Sequence, residues 1–267
     1  MKQLLNLKNK RQKYFFIILA VIVFIAIIVG IICRVCYVAQ LEHNEEIYRQ
    51  LSSIIDGSEA IPENTLTVDG ETEQAKVENK TLREVDFDIL KETNEDIYAW
   101  ITVDGTQVNY PILQNAEDNY YLKRCIDGKS GYPGCIYTNA CHSQDFSSWN
   151  TVIYGHNMNN GSMFGGLKIS NDWEKENEYI VIKIPDRILQ YRVYAVTEFS
   201  DEYIPLAYDE GSETDRQQFL DTVVQNAQNG GYLREDMEVS STDKLVTLST
   251  CIRGKSNKRL LIIGVLE

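Results

Sequence analysis

The sequence predicts a mainly-β domain, closed into a barrel or stacked as a sandwich, with few helices and a single N-terminal membrane-spanning helix ahead of it. Three observations carry this reading. Eight short β-like runs separated by turn residues crowd into roughly 170 residues after position 97. Beyond residue 80 only two segments show helical periodicity. Ahead of them, Tyr14 to Cys33 form an uncharged apolar run of 20 residues. At about 1.5 Å rise per residue such a run covers the roughly 30 Å of a bilayer's hydrocarbon.

Taken in order, residues 1–13 are a basic tail with Lys2, Lys8, Lys10, Arg11 and Lys13, and residues 14–33 are the membrane segment. A cleaved secretory signal has an apolar region of about 7 to 15 residues ending in a small-x-small site. The following CRVCYVAQLEH offers no such site, so the run reads as an uncleaved signal anchor. Cations before it and Glu42, Glu45 and Glu46 after it place the N-terminus in the cytoplasm and the rest outside the cell membrane. Residues 34–80 are stalk and linker. Leu41, Ile47, Leu51, Ile54 and Ile55 have a loose helical spacing suited to a spacer helix, and residues 57–80 are polar and acidic, a flexible link.

The domain proper is expected at 81–267. Its strands are read at YAWITV (98–103), QVNYPIL (107–113), GCIYT (134–138), NTVIYG (150–155), EYIVIKI (178–184), ILQYRVYAVTEF (188–199), KLVTLST (244–250) and KRLLIIGVL (258–266). The helices are DFDILKETN (86–94) and TDRQQFLDTVVQNAQ (214–228), the second with Phe219, Leu220, Val223, Val224 and Ala227 on one stripe, inserted between strands. The 267 residues carry 26 basic and 39 acidic side chains, a net charge of −13, and five of the cations precede the membrane run, leaving −18 beyond it. A broad basic face for nucleic acid is excluded.

Chemistry has few places to reside. Of the three histidines, His43 lies in the stalk and His142 in the polar loop CHSQDFSSWN, where solvent exposure is expected. His156 ends the apolar run NTVIYG and precedes a loop rich in Asn and Gly. A strand end on a rigid sheet is where catalytic groups are held, although a lone histidine is more often structural. Cys33 and Cys36 belong to the membrane segment and stalk, and Cys125, Cys135 and Cys141 sit close enough in sequence to pair in some combination. No spacing suggests a zinc site. Cys251 ends the run KLVTLST, and Arg259 opens the last strand. If those two strands are antiparallel neighbours, thiol and guanidinium sit at the same end of the sheet. A cysteine attacks a carbonyl carbon as thiolate and needs a nearby acid/base, which His156 can supply. An always-charged guanidinium suits the oxyanion that results.

TLSTC, then Arg259 on the next strand, with YGHN upstream, resembles the sortases, membrane-anchored cysteine transpeptidases of Gram-positive bacteria. WITVDGTQVNYPILQ, DNYYL and the helix inserted after Phe199 are similar to the class B subgroup. The resemblance implies a closed eight-stranded barrel with peripheral helices over residues 81–267. It implies Cys251 as nucleophile, His156 as acid/base and Arg259 as the group holding substrate or oxyanion, with Arg253 in the intervening loop as the rival. Substrate contact is implied for Thr250, and with it for Ser249, Tyr121 and Leu122. The implied reaction cuts a C-terminal sorting motif of a secreted protein after Thr, in class B often NPxTN rather than LPxTG. The acyl group is held as a thioester and passed to an amine of a cell-wall peptide precursor or of a pilin lysine. No cofactor or metal is called for. The rival classes are a membrane-tethered adhesion module and a papain-like hydrolase, whose usual order of Cys before His is reversed here.

Overall fold

The computed structural model describes residues 2–56 and 87–267, with side chains described from Tyr14 onward. Two compact units are present, Met1–Glu45 and Glu46–Glu267. Helix α1 (Lys2–Asp56) is continuous. In the first unit its apolar side chains, Phe15, Ile22 and Phe24 among them, are exposed, and it is the one helix among the described residues long and apolar enough to cross a membrane.

The last turns of α1 belong to the second unit, and there the expectation of a bare spacer is revised. Tyr48, Leu51 and Ile55 share one helical face and are buried. The Tyr48 hydroxyl donates to the Gly134 carbonyl at 3.4 Å and lies 3.6 Å from Cys135 Sγ, and its ring meets Tyr110 edge-on at 5.2 Å. The segment read as a flexible link, 57–80, lies outside the described residues, as does the first part of 81–267.

The strands are β1 (Ile97–Val103), β2 (Asn109–Gln114), β3 (Ile136–Thr138), β4 (Asn150–Tyr154), β5 (Tyr179–Ile184), β6 (Arg187–Ser200), β7 (Tyr232–Leu233), β8 (Leu245–Ile252) and β9 (Lys255–Leu266). Eight of them form a ring in the order β5-β1-β2-β3-β4-β8-β9-β6, closed by β6 pairing with β5, while two-residue β7 adds to β6. The expected eight-stranded closed barrel is what forms, and closure leaves no open edge. Two pairings are parallel, β2 with β3 and β4 with β8, and the rest are antiparallel.

Among the described residues three α-helices accompany the barrel. Short α2 (Phe87–Thr93) buries Phe87 and Leu90, and one-turn α3 (Ile204–Ala207) buries Ile204. Helix α4 (Glu213–Gln228) begins where the Ser212 side chain accepts from the Asp215 N–H at 3.2 Å, with Glu213 and Asp215 favourably placed in its first turn. Its stripe buries Phe219, Leu220, Val223 and Ala227 in a cluster with Trp149, Tyr194 and Phe199, while Val224 is only partly buried. Full burial of one such side chain contributes about 1.5–3 kcal/mol.

Candidate active site

Burial along β8 is continuous from Leu245 to Thr250 and stops at Cys251, which is exposed. The strand therefore delivers its thiol to the rim of the barrel from a rigid core. Beyond Cys251 the polar stretch expected as a loop is a tight hairpin, Arg253 and Gly254 joining β8 to β9, with Gly254 at φ 79°. Backbone pairing does not need apolar side chains, so β9 begins three residues earlier than its apolar pattern. Cys251 and Arg259 are direct partners, and the register then jumps so that Ile252 faces Lys255. The residues of this bulge hold Arg259: its Nη1 donates to the carbonyls of Ser256 at 3.2 Å and Lys258 at 3.0 Å.

The imidazole arrives from the other side of β8. In the parallel β4–β8 pair Tyr154 lies opposite Ser249, and two residues further along each strand come His156 and Cys251. Parallel neighbours run about 4.8 Å apart, so this pairing sends both residues to the same end of the barrel. The exit is fixed by the Gly155 N–H donating to the Ser249 carbonyl at 3.2 Å and by Thr250 Oγ1 donating to the Gly155 carbonyl at 2.7 Å. Gly155 is required by close approach: a Cβ there would lie 2.5 Å from Ile136 Cδ1 and 2.6 Å from the Phe164 ring. Asn157 then donates from Nδ2 to the Cys251 carbonyl at 2.8 Å.

His156 is held by two further residues. Its Nε2 lies 2.8 Å from the Leu122 carbonyl, and its Nδ1 lies 3.3 Å from the Tyr132 hydroxyl. Leu122 belongs to a 3₁₀ turn, Tyr120–Lys123, which the Cys135 N–H ties down by donating to the Tyr121 carbonyl at 3.0 Å. Gly134, at φ 74°, packs so closely there that a Cβ would lie 2.7 Å from the Leu122 carbonyl oxygen.

A cavity of about 220 Å³ gathers His156, Cys251, Arg259, Thr250, Ser249 and Leu122. Six of the seven residues expected at the site thus line one hollow. The seventh, Tyr121, does not: it is 3% exposed and its hydroxyl donates to Asp96 at 2.6 Å, so it shapes the turn that carries Leu122 rather than facing the cavity. Thr250 lines the cavity with its hydroxyl committed to Gly155, which gives it a scaffolding part. Arg253 is exposed and bonded to Asn159, away from the hollow. Sequence reasoning did not single out Asn157, Tyr132 or Tyr203. YGHN contained the first, and nothing local marks the other two. Tyr203 lines the cavity, its hydroxyl accepting from Asn139 Nδ2 at 3.2 Å and lying 3.3 Å from Cys141 Sγ; burial pushes it up to about 12.

None of the six cysteines is in a disulfide. Burial raises the thiols of Cys135 and Cys141, which disfavours the thiolate form. His142, expected in solvent, is instead buried at 6% exposure, and burial pushes it down to about 4, because the loop folds inward and its Nε2 accepts the Val152 N–H at 3.3 Å. Among the described residues no group of three or more His, Cys, Asp or Glu is placed to hold a metal ion.

A closed barrel whose rim gathers a thiol, an imidazole and a guanidinium in one hollow defines the class: a cysteine enzyme of barrel fold. A family model described as the Sortase domain matches residues 101–267. The chain belongs to the sortase family, and its relatives place it in class B. It is 30% identical to sortase B of Listeria monocytogenes over 181 residues, covering 66% of this chain and 72% of the relative. To sortase B of Staphylococcus aureus it is 29% identical over 187 residues, covering 67% and 73%. Among solved structures, sortase B from B. anthracis matches with a TM-score of 0.64 and 26% identity, over 85% of this chain and 97% of that one. A Staphylococcus aureus sortase B–substrate complex matches in fold with a TM-score of 0.64 at 22% identity, over 87% and 98%. Sortases act on proteins bearing a sorting motif, and this chain is an enzyme of that kind.

Proposed function

We propose that Cys251, His156 and Arg259 carry out the transpeptidation, cutting a sorting motif after Thr. The Cys251 thiolate attacks the Thr carbonyl carbon, forming a C–S bond, and Arg259 donates to the oxygen that becomes anionic. As the C–N bond breaks, His156 gives its proton to the leaving nitrogen. The thioester is then attacked by an amine, which returns a proton to His156 while the C–S bond breaks and the thiolate leaves. What supports this reading is that Cys251 pairs with Arg259 across β8 and β9 and that both line one hollow with His156.

The acceptor is an amine of a cell-wall peptide precursor or a pilin lysine. Asp201 and Glu202 on the cavity wall favour the approach of an ammonium group. Residues 14–33 anchor the chain in the cell membrane with the basic tail 1–13 in the cytoplasm and the catalytic domain outside, as the charges flanking the apolar run favour. The test uses internally quenched peptides bearing NPxTN or LPxTG motifs. Cys251→Ala abolishes cleavage, and His156→Ala lowers turnover by about 10²- to 10⁴-fold. An added amine captures the acyl group in a transpeptidase, whereas a hydrolase releases the free acid. Cleavage by the Cys251→Ala protein refutes the assignment, and wild-type protein that binds but turns over no peptide supports an adhesion module.

A further inference from the structure

We infer that Tyr132 is the positioning residue of the catalytic imidazole and that Nδ1 of His156 is the nitrogen that gains and loses the proton. The inference rests on the reading of His156 as acid/base. A carbonyl oxygen has no proton to give, so the 2.8 Å contact from His156 Nε2 to the Leu122 carbonyl puts a hydrogen on Nε2. In the neutral ring the lone pair is then on Nδ1, 3.3 Å from the Tyr132 hydroxyl, which donates to it. When the ring is charged, Nδ1–H donates to the same phenol oxygen. A hydroxyl serves both states by turning its O–H, while the Leu122 carbonyl serves only a protonated nitrogen. Proton exchange at Nε2 would break the shorter bond, whereas exchange at Nδ1 displaces only the longer contact, made by a phenol that is 40% exposed.

Local architecture supports the assignment. The Tyr132 ring packs beside the imidazole, centroids 4.7 Å apart and planes at 47°, so it limits rotation as well as bonding. Leu122 and Tyr132 are carried by one folded-back segment, in which the Gly131 N–H donates to the Lys123 carbonyl at 2.9 Å and the Cys135 N–H to the Tyr121 carbonyl at 3.0 Å. Tyr132 is absent from the cavity lining, which makes it a support of the imidazole and not a substrate contact. In the first half-reaction the C–S bond forms, the C–N bond breaks and the leaving nitrogen takes the Nδ1 proton. In the second, the incoming amine returns a proton to Nδ1 as the C–S bond breaks.

The experiment uses the full chain in detergent, with Tyr132→Phe keeping the ring and Tyr132→Leu removing it. Tyr132 is 40% exposed, so neither change opens the core, and circular dichroism checks the fold. For Tyr132→Phe the expected result is a kcat about three- to tenfold lower with KM within about twofold, the effect of one lost hydrogen bond. Tyr132→Leu falls further. Ring ¹⁵N spectra, assigned by the signals lost in His156→Gln, report the second half: in Tyr132→Phe the Nδ1 resonance of the neutral ring moves toward that of a nitrogen with no hydrogen bond, and Nε2 stays in place. Unchanged kcat, a rise in KM alone, or movement at Nε2 instead of Nδ1 overturns the inference. An inactive His156→Ala beside a fully active Tyr132→Phe sinks only this inference, and an active His156→Ala sinks the acid/base reading beneath it.

Discussion

Acid should destabilise this barrel through His142, and the size of the effect follows from its burial. His142 is 6% exposed, its Nε2 accepts the Val152 N–H at 3.3 Å, and its own carbonyl accepts from Gln114 Nε2 at 2.8 Å. Burial, opposed weakly by the charge of Asp118, moves it from 6.5 to about 4. The folded value lies below the unfolded one. Between them the unfolded chain binds one proton more, so stability is fully present above about pH 6.5 and is lost as pH falls toward 4. Over that window of about 2.5 pH units, at about 1.4 kcal/mol each, the limiting loss is about 3 to 4 kcal/mol, of which about 3 is realised by pH 4, where the folded imidazole is half protonated. His142→Gln keeps an acceptor for Val152 on a side chain that does not titrate. Urea unfolding of both proteins in detergent, followed by the buried Trp100, Trp149 and Trp173, is repeated from about pH 7.5 to 4. Subtracting the curves cancels the carboxylates common to both. The wild type should lose about 3 kcal/mol more than the variant over the window. Parallel curves refute the reasoning, since they require a histidine solvated alike in both states, and a steeper loss in the variant reverses its sign.

Three other outcomes follow. Arg259→Lys keeps the charge and loses the planar fork, so turnover falls about 10²- to 10³-fold with the fold intact by circular dichroism, whereas Arg253→Lys is nearly silent; the reverse pattern transfers the role to the turn arginine. Tyr48→Ala removes a buried ring packed edge-on against Tyr110 and costs about 3–5 kcal/mol in urea unfolding. By the same logic a chain beginning at residue 81, which sequence alone marks as self-sufficient, unfolds at lower urea than one beginning at Glu46; equal midpoints show that the helix end adds nothing.

Much of the molecule was legible because the relevant physics is local. A run of 20 apolar residues identifies a segment fit for a bilayer whatever follows it. Alternation and β-branched runs located eight of the nine strands, and only two-residue β7, too short to have a period, went unseen. The pairing of Cys251 with Arg259 was within reach because a two-residue turn joins their strands and leaves few registers open.

What sequence left undecided is set by contacts between distant segments. Gly155 and Thr250 are separated by 95 residues, and no turn constrains the parallel pairing of β4 with β8 that brings His156 and Cys251 to one hollow. That choice belongs to the closed ring as a whole. The Leu122 carbonyl is a backbone group, which residue identity does not mark, and Tyr132 reaches Nδ1 only because its segment folds back on the 3₁₀ turn. Tyr121, one residue from Leu122, points inward, and the polar loop holding His142 turns into the protein. A helix end with the spacing of a spacer buries Tyr48, Leu51 and Ile55. The sequence by itself therefore determined which segments are strands, which is membrane-suited and which residue types can do the chemistry, since hydropathy period and side-chain chemistry are properties of neighbouring residues. Only the tertiary structure decided which groups meet and which are shielded from water, because burial and partnership depend on strands and loops that the chain brings together across long loops.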